Sequence, residues 1–155
     1  DVYKRQYMHH TDKLLLDPVC ACTALRKASR AVTRLYDEAL AGSGMSIVQF
    51  SVLRHIAREG QPELMRLAET LVMDRTTLYR ALKPLEQRGW VALSDAARRA
   101  KHVALTPAGE AALRAATEAW RAAQSRLLGG YGAAEWARMQ AGLARLVTLS
   151  GERGA

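Results

Sequence analysis

The stretch DRTTLYRALKPLEQRGW, residues 74–90, constrains the fold most because it carries two chemically different faces. At about 100° per residue along an α-helix, Leu78, Leu82 and Leu85 fall within one narrow sector. Asp74 is a suitable N-cap, and Pro84 disturbs the helix near its C-terminal end because it lacks an N–H. The opposite sector holds two hydroxyls and two cations, from Thr76, Tyr79, Arg80 and Lys83. The stretch therefore predicts a helix with a buried leucine face and an exposed polar face.

Apolar residues three and four positions apart predict further helices on both sides of this stretch. They span about 17–41, 47–59, 62–71, 107–128 and 134–149. The expected boundary residues are caps, prolines at the first turn and terminating glycines: Asp17, Pro18, Gly42, Gly44, Ser46, Gly60, Pro62, Thr106, Pro107, Gly129, Gly130 and Gly132. After Gly89 the apolar period changes to two, over 91–94 and 102–105, with the polar segment SDAARRAK between. This change predicts a two-stranded hairpin with a basic tip.

These elements predict one compact, mainly α-helical domain with four parts. Residues 1–12 have no clear period and are expected to be a leader outside the fold, with Met8 a candidate start. The first helix lies in 13–45, a helix-turn-helix with its hairpin in 46–106, and the last two helices in 107–150. No apolar run reaches the ~18 residues of a membrane span, and two cysteines do not make a disulfide scaffold. A soluble, cytoplasmic protein without a membrane partner is expected.

Charge predicts the partner. The chain has 23 Lys and Arg against 15 Asp and Glu, a formal net charge of +8, which suits nucleic acid or an anionic membrane surface. Residues 74–102 contain seven Lys or Arg and three Asp or Glu, a net +4, which suits double-stranded DNA. An Arg side chain can pair with guanine, and a Thr side chain can contact a base edge or a thymine methyl. The alternative is that this polar face of the helix is merely solvated. The candidate DNA-binding residues are Arg75, Thr76, Thr77, Tyr79, Arg80, Lys83, Arg98, Arg99 and Lys101.

Over about residues 17–149, and most specifically from Leu67 to Leu113, the sequence resembles the MarR-type winged helix-turn-helix transcriptional regulators. The resemblance rests on a glycine that ends the recognition helix, an acidic residue and an arginine pair in the wing, and a Leu-Thr-x-x-Gly motif. Here these are Gly89, Asp95, Arg98, Arg99, Leu105, Thr106 and Gly109. Relatives have Asp directly before the arginine pair, where this chain has Ala97. The resemblance implies a transcriptional regulator that acts as a repressor, and not an enzyme. It also implies a small effector, a phenolic or other apolar anion.

The resemblance also implies a homodimer whose outer helices intertwine. In agreement, Leu113, Trp120 and Leu127 recur every seven residues, with Ala116 and Ala123 between them, which allows close helix approach. An intrachain core remains open for each apolar stripe. A two-fold dimer places its recognition helices ~34 Å apart, so a palindromic operator is expected. The candidate residues of the dimer interface are Leu25, Val32, Leu113, Trp120, Leu127, Trp136 and Leu143.

The segment CACTALRKAS resembles the first helix of the organic-hydroperoxide-sensing branch of the same family. The matching thiol is Cys22, a candidate redox sensor for peroxide, although Ile47 and Phe50 stand where that branch has tyrosines. Packing thiols are the alternative, and Cys20 and Cys22 lie about 200° apart, so they cannot chelate one metal from this helix. His9, His10, His55 and His102 lack metal-ligand spacing, and no cofactor is expected. The competing functions are a winged-helix protein–protein adaptor without DNA binding and a thiol peroxidase.

Overall fold

A computed structural model of the chain describes residues 20–95 and 100–151. The predicted fold class is confirmed, because these residues are mainly helical and contain one short antiparallel hairpin. The elements, in chain order, are α1 (Ala21–Leu40), α2 (Ile47–Glu59), α3 (Leu64–Thr70), α4 (Arg75–Gln87), β1 (Val91–Asp95), β2 (Lys101–Leu105), α5 (Pro107–Tyr131) and α6 (Ala133–Gly151). A 3-10 turn at Ala41–Ser43 joins α1 to α2. We call residues 47–105, from α2 to β2, the head.

The chain divides into two compact units after Leu35. In the first unit the structure describes residues 20–35, most of α1, and the side chains from 20 to 32 are all exposed. The helix begins at Ala21, later than expected, and the Cys20 carbonyl accepts its first hydrogen bond, from the Ala24 N–H at 3.0 Å. The predicted boundary residues Asp17 and Pro18 lie outside the described residues, as does the expected leader at 1–12.

The hydrophobic core of the second unit lies mainly in the head. Leucines from α4 and α3 meet apolar side chains from α2 and β2 there, and α5 packs against α2 and β2. Phe50 is buried in the core, whereas Val48 on the same helix is exposed. The two differ because they lie about 200° apart around α2. The largest fully buried side chains are Phe50, Leu40, Leu53, Ile56, Leu67, Leu78, Leu82, Leu85, Val52 and Val103.

Helix α2 begins and ends where the sequence predicts. The Ser46 side chain accepts from the Gln49 N–H at 3.2 Å, and the Gln49 side chain accepts from the Ser46 N–H at 3.0 Å. This reciprocal capping box pairs two N–H groups that the helix leaves without partners. At the other end Gly60 adopts a positive φ of 81°. Both ends are set by residues next to the helix, which is why they could be predicted.

Helix α3 is shorter than predicted, and Pro62 does not open it. The Pro62 carbonyl accepts a hydrogen bond from the Val103 N–H at 3.1 Å, and Glu63 forms an isolated antiparallel bridge with His102. Residues 62 and 63 are therefore extended against β2, and the helix starts at Leu64. The first-turn preference of proline is overridden by pairing with a strand forty residues later.

The hairpin has the predicted alternation. β1 and β2 pair antiparallel, with Val91 opposite Leu105 and Asp95 opposite Lys101. Val91 and Val103 are buried on the face towards α2 and α5, which fixes the register, since a slip of one residue would expose both. The predicted tip residues Ala97, Arg98 and Arg99 lie outside the described residues.

The two C-terminal helices are longer than predicted. Gly129 and Gly130 remain helical, and α5 ends only at Gly132, where φ is 99°. Each helical glycine costs roughly 1 kcal/mol relative to alanine, which is too little to end a helix of 25 residues. Among the helices of the described residues, none is long and apolar enough to cross a membrane.

Candidate nucleic-acid interface

The N-terminus of α4 is fixed by its cap. The Asp74 carboxylate accepts the Thr77 N–H at 2.8 Å and the Thr77 hydroxyl at 2.7 Å. These two hydrogen bonds, the backbone one first, hold the pKa of Asp74 below its usual range, so the carboxylate is ionised at neutral pH. The cap sets the direction of the first turn. It also engages the hydroxyl of Thr77. The hydroxyl of Thr76 has no hydrogen-bond partner among residues 20–95 and 100–151.

Helix α4 has the two predicted faces. Leu78, Leu82 and Leu85 are buried, and Thr76, Arg80 and Lys83 on the other side are exposed. Tyr79, expected in the outward sector, is half-buried and packs against the core. The exposed face therefore consists of short hydroxyl and long cationic side chains on a helix whose N-terminal dipole favours anions.

A cleft of about 110 Å³ lies between the first turns of α4 and the base of the hairpin. It brings together three of the predicted DNA-binding residues, Arg75, Tyr79 and Lys101. The Arg75 guanidinium lies over the Tyr79 ring, 5.5 Å from its centre. The sequence did not indicate that Glu63 and Met65 also line this cleft, because their position depends on the pairing of Glu63 with β2.

The base of the wing is tied to the residues before α3. The Gln61 side-chain amide donates to the Ser94 hydroxyl at 3.1 Å, and Lys101 stands exposed opposite Asp95 at the last pair before the tip. The hairpin thus carries Lys101 on the same side of the head as Arg75, which lines the same cleft.

The Leu-Thr-x-x-Gly motif joins the wing to α5. The Thr106 hydroxyl accepts from the Gly109 N–H at 3.0 Å and caps α5, while the Thr106 N–H donates to the Trp90 carbonyl at 3.1 Å. A Cβ on Gly109 would lie 1.9 Å from that same carbonyl oxygen. Glycine is therefore required at this position by close contact with the backbone that leaves α4.

The residues predicted to lie in the dimer interface differ in their surroundings. Leu113 and Trp120 are half-buried and pack against the core of their own chain, where the Trp120 ring stacks 5.5 Å from that of Phe50 and under Arg54. Ala116 and Ala123 are buried within the chain, in agreement with the intrachain alternative for this stripe. The remaining candidates are half-buried or exposed: Leu25, Val32, Leu127, Trp136 and Leu143.

Both cysteines are exposed. Hydrogen bonds from the Thr23 backbone N–H and then its hydroxyl lower the pKa of the Cys20 thiol, which occupies the N-cap position of α1. Sequence reasoning favoured Cys22 and missed this cap, whose signal was the hydroxyl three residues after Cys20. Within residues 20–95 and 100–151, no group of three His, Cys, Asp or Glu side chains could hold a metal ion.

Comparison with known proteins identifies the family. The sequence profile of the MarR family matches residues 43–100, which contain α2 to α4 and β1. The transcriptional regulator MosR from M. tuberculosis, in a complex with DNA, is 34% identical with a TM-score of 0.78, over 84% of this chain and 96% of that one. Another structure of MosR is 32% identical with a TM-score of 0.74, over 85% and 96%.

A mutant MarR from E. coli complexed with operator DNA is 24% identical with a TM-score of 0.72, over 80% of this chain and 91% of that one, a likeness of fold. Comparison with curated protein sequences gives no match. The match to the family profile and the identity to MosR over nearly its whole length agree with the winged head and the Leu-Thr-x-x-Gly contact. The chain belongs to the MarR family, whose members are transcriptional regulators and not enzymes.

Proposed function

We propose that this regulator binds double-stranded DNA as a homodimer, with one α4 in the major groove of each half of a palindromic operator. The observation that carries the proposal is the exposed face of α4, where Thr76, Arg80 and Lys83 project from a helix held by three buried leucines. The similar MosR, at 34% identity, has a structure in complex with DNA, which supports the same partner here.

The contacts follow from the chemistry of each side chain. Arg80 offers a planar pair of donors that suits guanine O6 and N7, and Thr76 suits a base edge or a thymine methyl. Lys83 carries a point charge suited to phosphate. Arg75 and Lys101 line the cleft beside α4 and would bind the phosphate backbone of the DNA there. Arg98 and Arg99, at the predicted wing tip, complete the proposed contacts.

A second copy of the chain is the proposed partner of α6. None of its side chains is buried, and Met139, Leu146, Val147 and Leu149 are all exposed. Water-exposed apolar side chains in such numbers on one helix mark an association surface. Leu127, Trp136 and Leu143 extend this surface along α5 and α6. In a two-fold dimer the recognition helices are ~34 Å apart, one turn of DNA.

Gel-shift assays over a series of salt concentrations test DNA binding. Affinity should fall steeply with salt, and Arg80→Ala should cost ~1–3 kcal/mol and relax the preference at one base pair of each half-site. Arg121→Ala is the matched control, because Arg121 is exposed on α5 and pairs with Glu118 at 2.6 Å. Loss of the same charge there should leave binding unchanged. Absent or salt-insensitive DNA binding would instead support the protein–protein adaptor.

Selection of bound fragments from random DNA tests symmetry and spacing together. Two inverted half-sites about one helical turn apart are expected if the homodimer binds a palindrome. A single half-site without symmetry would contradict the dimeric arrangement.

We further propose that the protein acts in the cytoplasm as a repressor, and that a phenolic or other apolar anion releases it from DNA.

Peroxide is the alternative effector, acting on Cys22 of α1. A peroxide would transfer one oxygen atom to the thiolate sulfur, giving a sulfenic acid, while its O–O bond breaks and it leaves as an alcohol or water. The thiolate is the reactive form, and the lowered pKa of Cys20 makes that residue a necessary second variant. Peroxide should release DNA from the native protein and not from Cys22→Ser. Equal release from the native protein, Cys22→Ser and Cys20→Ser would exclude redox sensing by these thiols.

A further inference from the structure

Arg88 is the residue directly after α4, and its side chain extends to the turn that precedes α2. Its Nη1 donates a hydrogen bond to the Gly44 carbonyl at 2.6 Å. The same guanidinium lies over the Trp90 ring, 4.8 Å from its centre. One cation thus joins the C-terminal end of the recognition helix to the turn that follows α1.

The acceptor of this hydrogen bond is held rigidly. Gly44 closes the 3-10 turn with φ at 65°, and its N–H donates to the Ala41 carbonyl at 3.1 Å. Met45, the next residue, is buried in the core, and Ser46 then forms the capping box of α2. The Gly44 carbonyl therefore has a fixed direction, and a guanidinium bound to it fixes the position of residue 88.

The two residues after Arg88 are held by α5. Thr106 donates its N–H to the Trp90 carbonyl and its hydroxyl to the Gly89 carbonyl. Gly109 allows α5 to lie directly against the Trp90 backbone. Residues 88–90 are consequently fastened to two different elements, the turn after α1 and the first turn of α5.

We propose that Arg88 is a positioning residue that sets the angle of α4 relative to α5 and the turn after α1, and thereby the half-site spacing that the dimer accepts. This rests on the proposed function, in which a homodimer carries two α4 helices to one duplex. Arg88 acts through α4 and does not bind DNA, because its guanidinium is engaged with Gly44 and stacked on Trp90. Each base pair added between half-sites changes both their separation and their rotation around the duplex, so spacing reports the angle of α4.

The experiment measures affinity for palindromic sites whose half-site separation varies in steps of one base pair, at several salt concentrations. The native protein should show a sharp optimum. Arg88→Ala should lose about tenfold at that optimum, as expected for one charge-assisted hydrogen bond, and less or nothing at neighbouring spacings. The dependence of its affinity on salt should equal that of the native protein. Lys83→Ala, with the same loss of charge, is the control: its salt slope should fall by ~0.9 while the optimum keeps its position and width.

The possible results separate the alternatives. An equal loss at every spacing with a lower salt slope means that Arg88 contacts phosphate, and the proposal is overturned; an unchanged spacing profile also overturns it. If Arg88→Ala does not fold, Arg88→Lys keeps the charge but loses the planar stack on Trp90. A broadened optimum in that variant supports the proposal, and a native profile contradicts it. Failure of the native protein to bind DNA overturns the proposed function as well, whereas native binding with a profile insensitive to Arg88 overturns this inference alone.

Discussion

The head and α6 contain similar apolar side chains but use them differently. In the head, leucines at intervals of three and four on α4 are buried within the chain. In α6, apolar side chains remain exposed, Leu146 by 42% and Val147 by 50%. The core of the head is thus packed within one chain, whereas α6 keeps apolar side chains exposed in that chain. If a second copy covers α6, as proposed, substitutions in the core of the head should change stability, and substitutions on α6 should change association.

The largest effect is expected for Leu82→Ala in the head. Leu82 is 1% exposed on the inner face of α4, and its truncation leaves a cavity among side chains of α2 and α4. The free energy of unfolding should fall by about 2–5 kcal/mol, measured by urea denaturation followed by circular dichroism. Leu149→Ala, on the 63% exposed side chain of α6, is the matched control and should cost far less at the same protein concentration. Equal losses would show that the two regions do not differ as described.

Gly109→Ala should have the next largest effect. A methyl group cannot occupy a position 1.9 Å from the Trp90 carbonyl oxygen, so α5 must move away from the end of α4. The expected loss is about 1–3 kcal/mol in the free energy of unfolding, together with weaker DNA binding. Gly129→Ala is the control, because nothing lies within 4 Å of a Cβ there and the residue is helical. That variant should gain up to about 1 kcal/mol. Undiminished stability of Gly109→Ala would contradict the contact at Trp90.

Association is tested on α6 with Leu146→Ser. The side chain is partly exposed in one chain, so its replacement should leave the fold of that chain nearly unchanged. If a second copy covers it, about 1 kcal/mol of apolar burial is lost from each chain, and the dimer dissociation constant should rise on the order of tenfold or more. Sedimentation equilibrium measures this constant. Met65→Ser, at a 48% exposed position on the head, should leave it unchanged. A native dissociation constant for Leu146→Ser would remove α6 from the interface.

Local interactions made much of the fold predictable from the sequence. The leucine face of α4, its Asp74 cap, the Ser46 capping box and the alternation of the hairpin depend on residues within four positions of each other or on one tight pairing. The extended conformation of Pro62 could not be predicted, because it depends on β2, forty residues away. The burial of Ala116 and Ala123 depends likewise on which helices pack together in three dimensions.

The candidate site divides in the same way. Helical geometry predicts the exposed positions of Thr76, Arg80 and Lys83, but it also places the half-buried Tyr79 on that face. The cleft beside it could not be predicted, since Glu63 lines it together with Arg75, and the position of Glu63 depends on the long-range bridge to His102. The bond from Arg88 to Gly44 joins residues 44 positions apart, and the sequence indicated only a charge at this position.

The smallest effect is expected at the turn between α3 and α4, where the head tolerates a strained backbone. Val72 has a φ of 54°, a left-handed conformation that is unfavourable for a β-branched side chain, and it is 70% exposed, so little packing offsets the strain. Val72→Gly removes the strain but gives the unfolded chain more freedom, so a net gain of about 0.5–1 kcal/mol is expected. Val48→Gly, an exposed valine inside α2, should instead lose stability, because glycine disfavours a helix. Thermal unfolding of both variants measures the difference, and a shift of the same sign in both would mean that the turn is not strained.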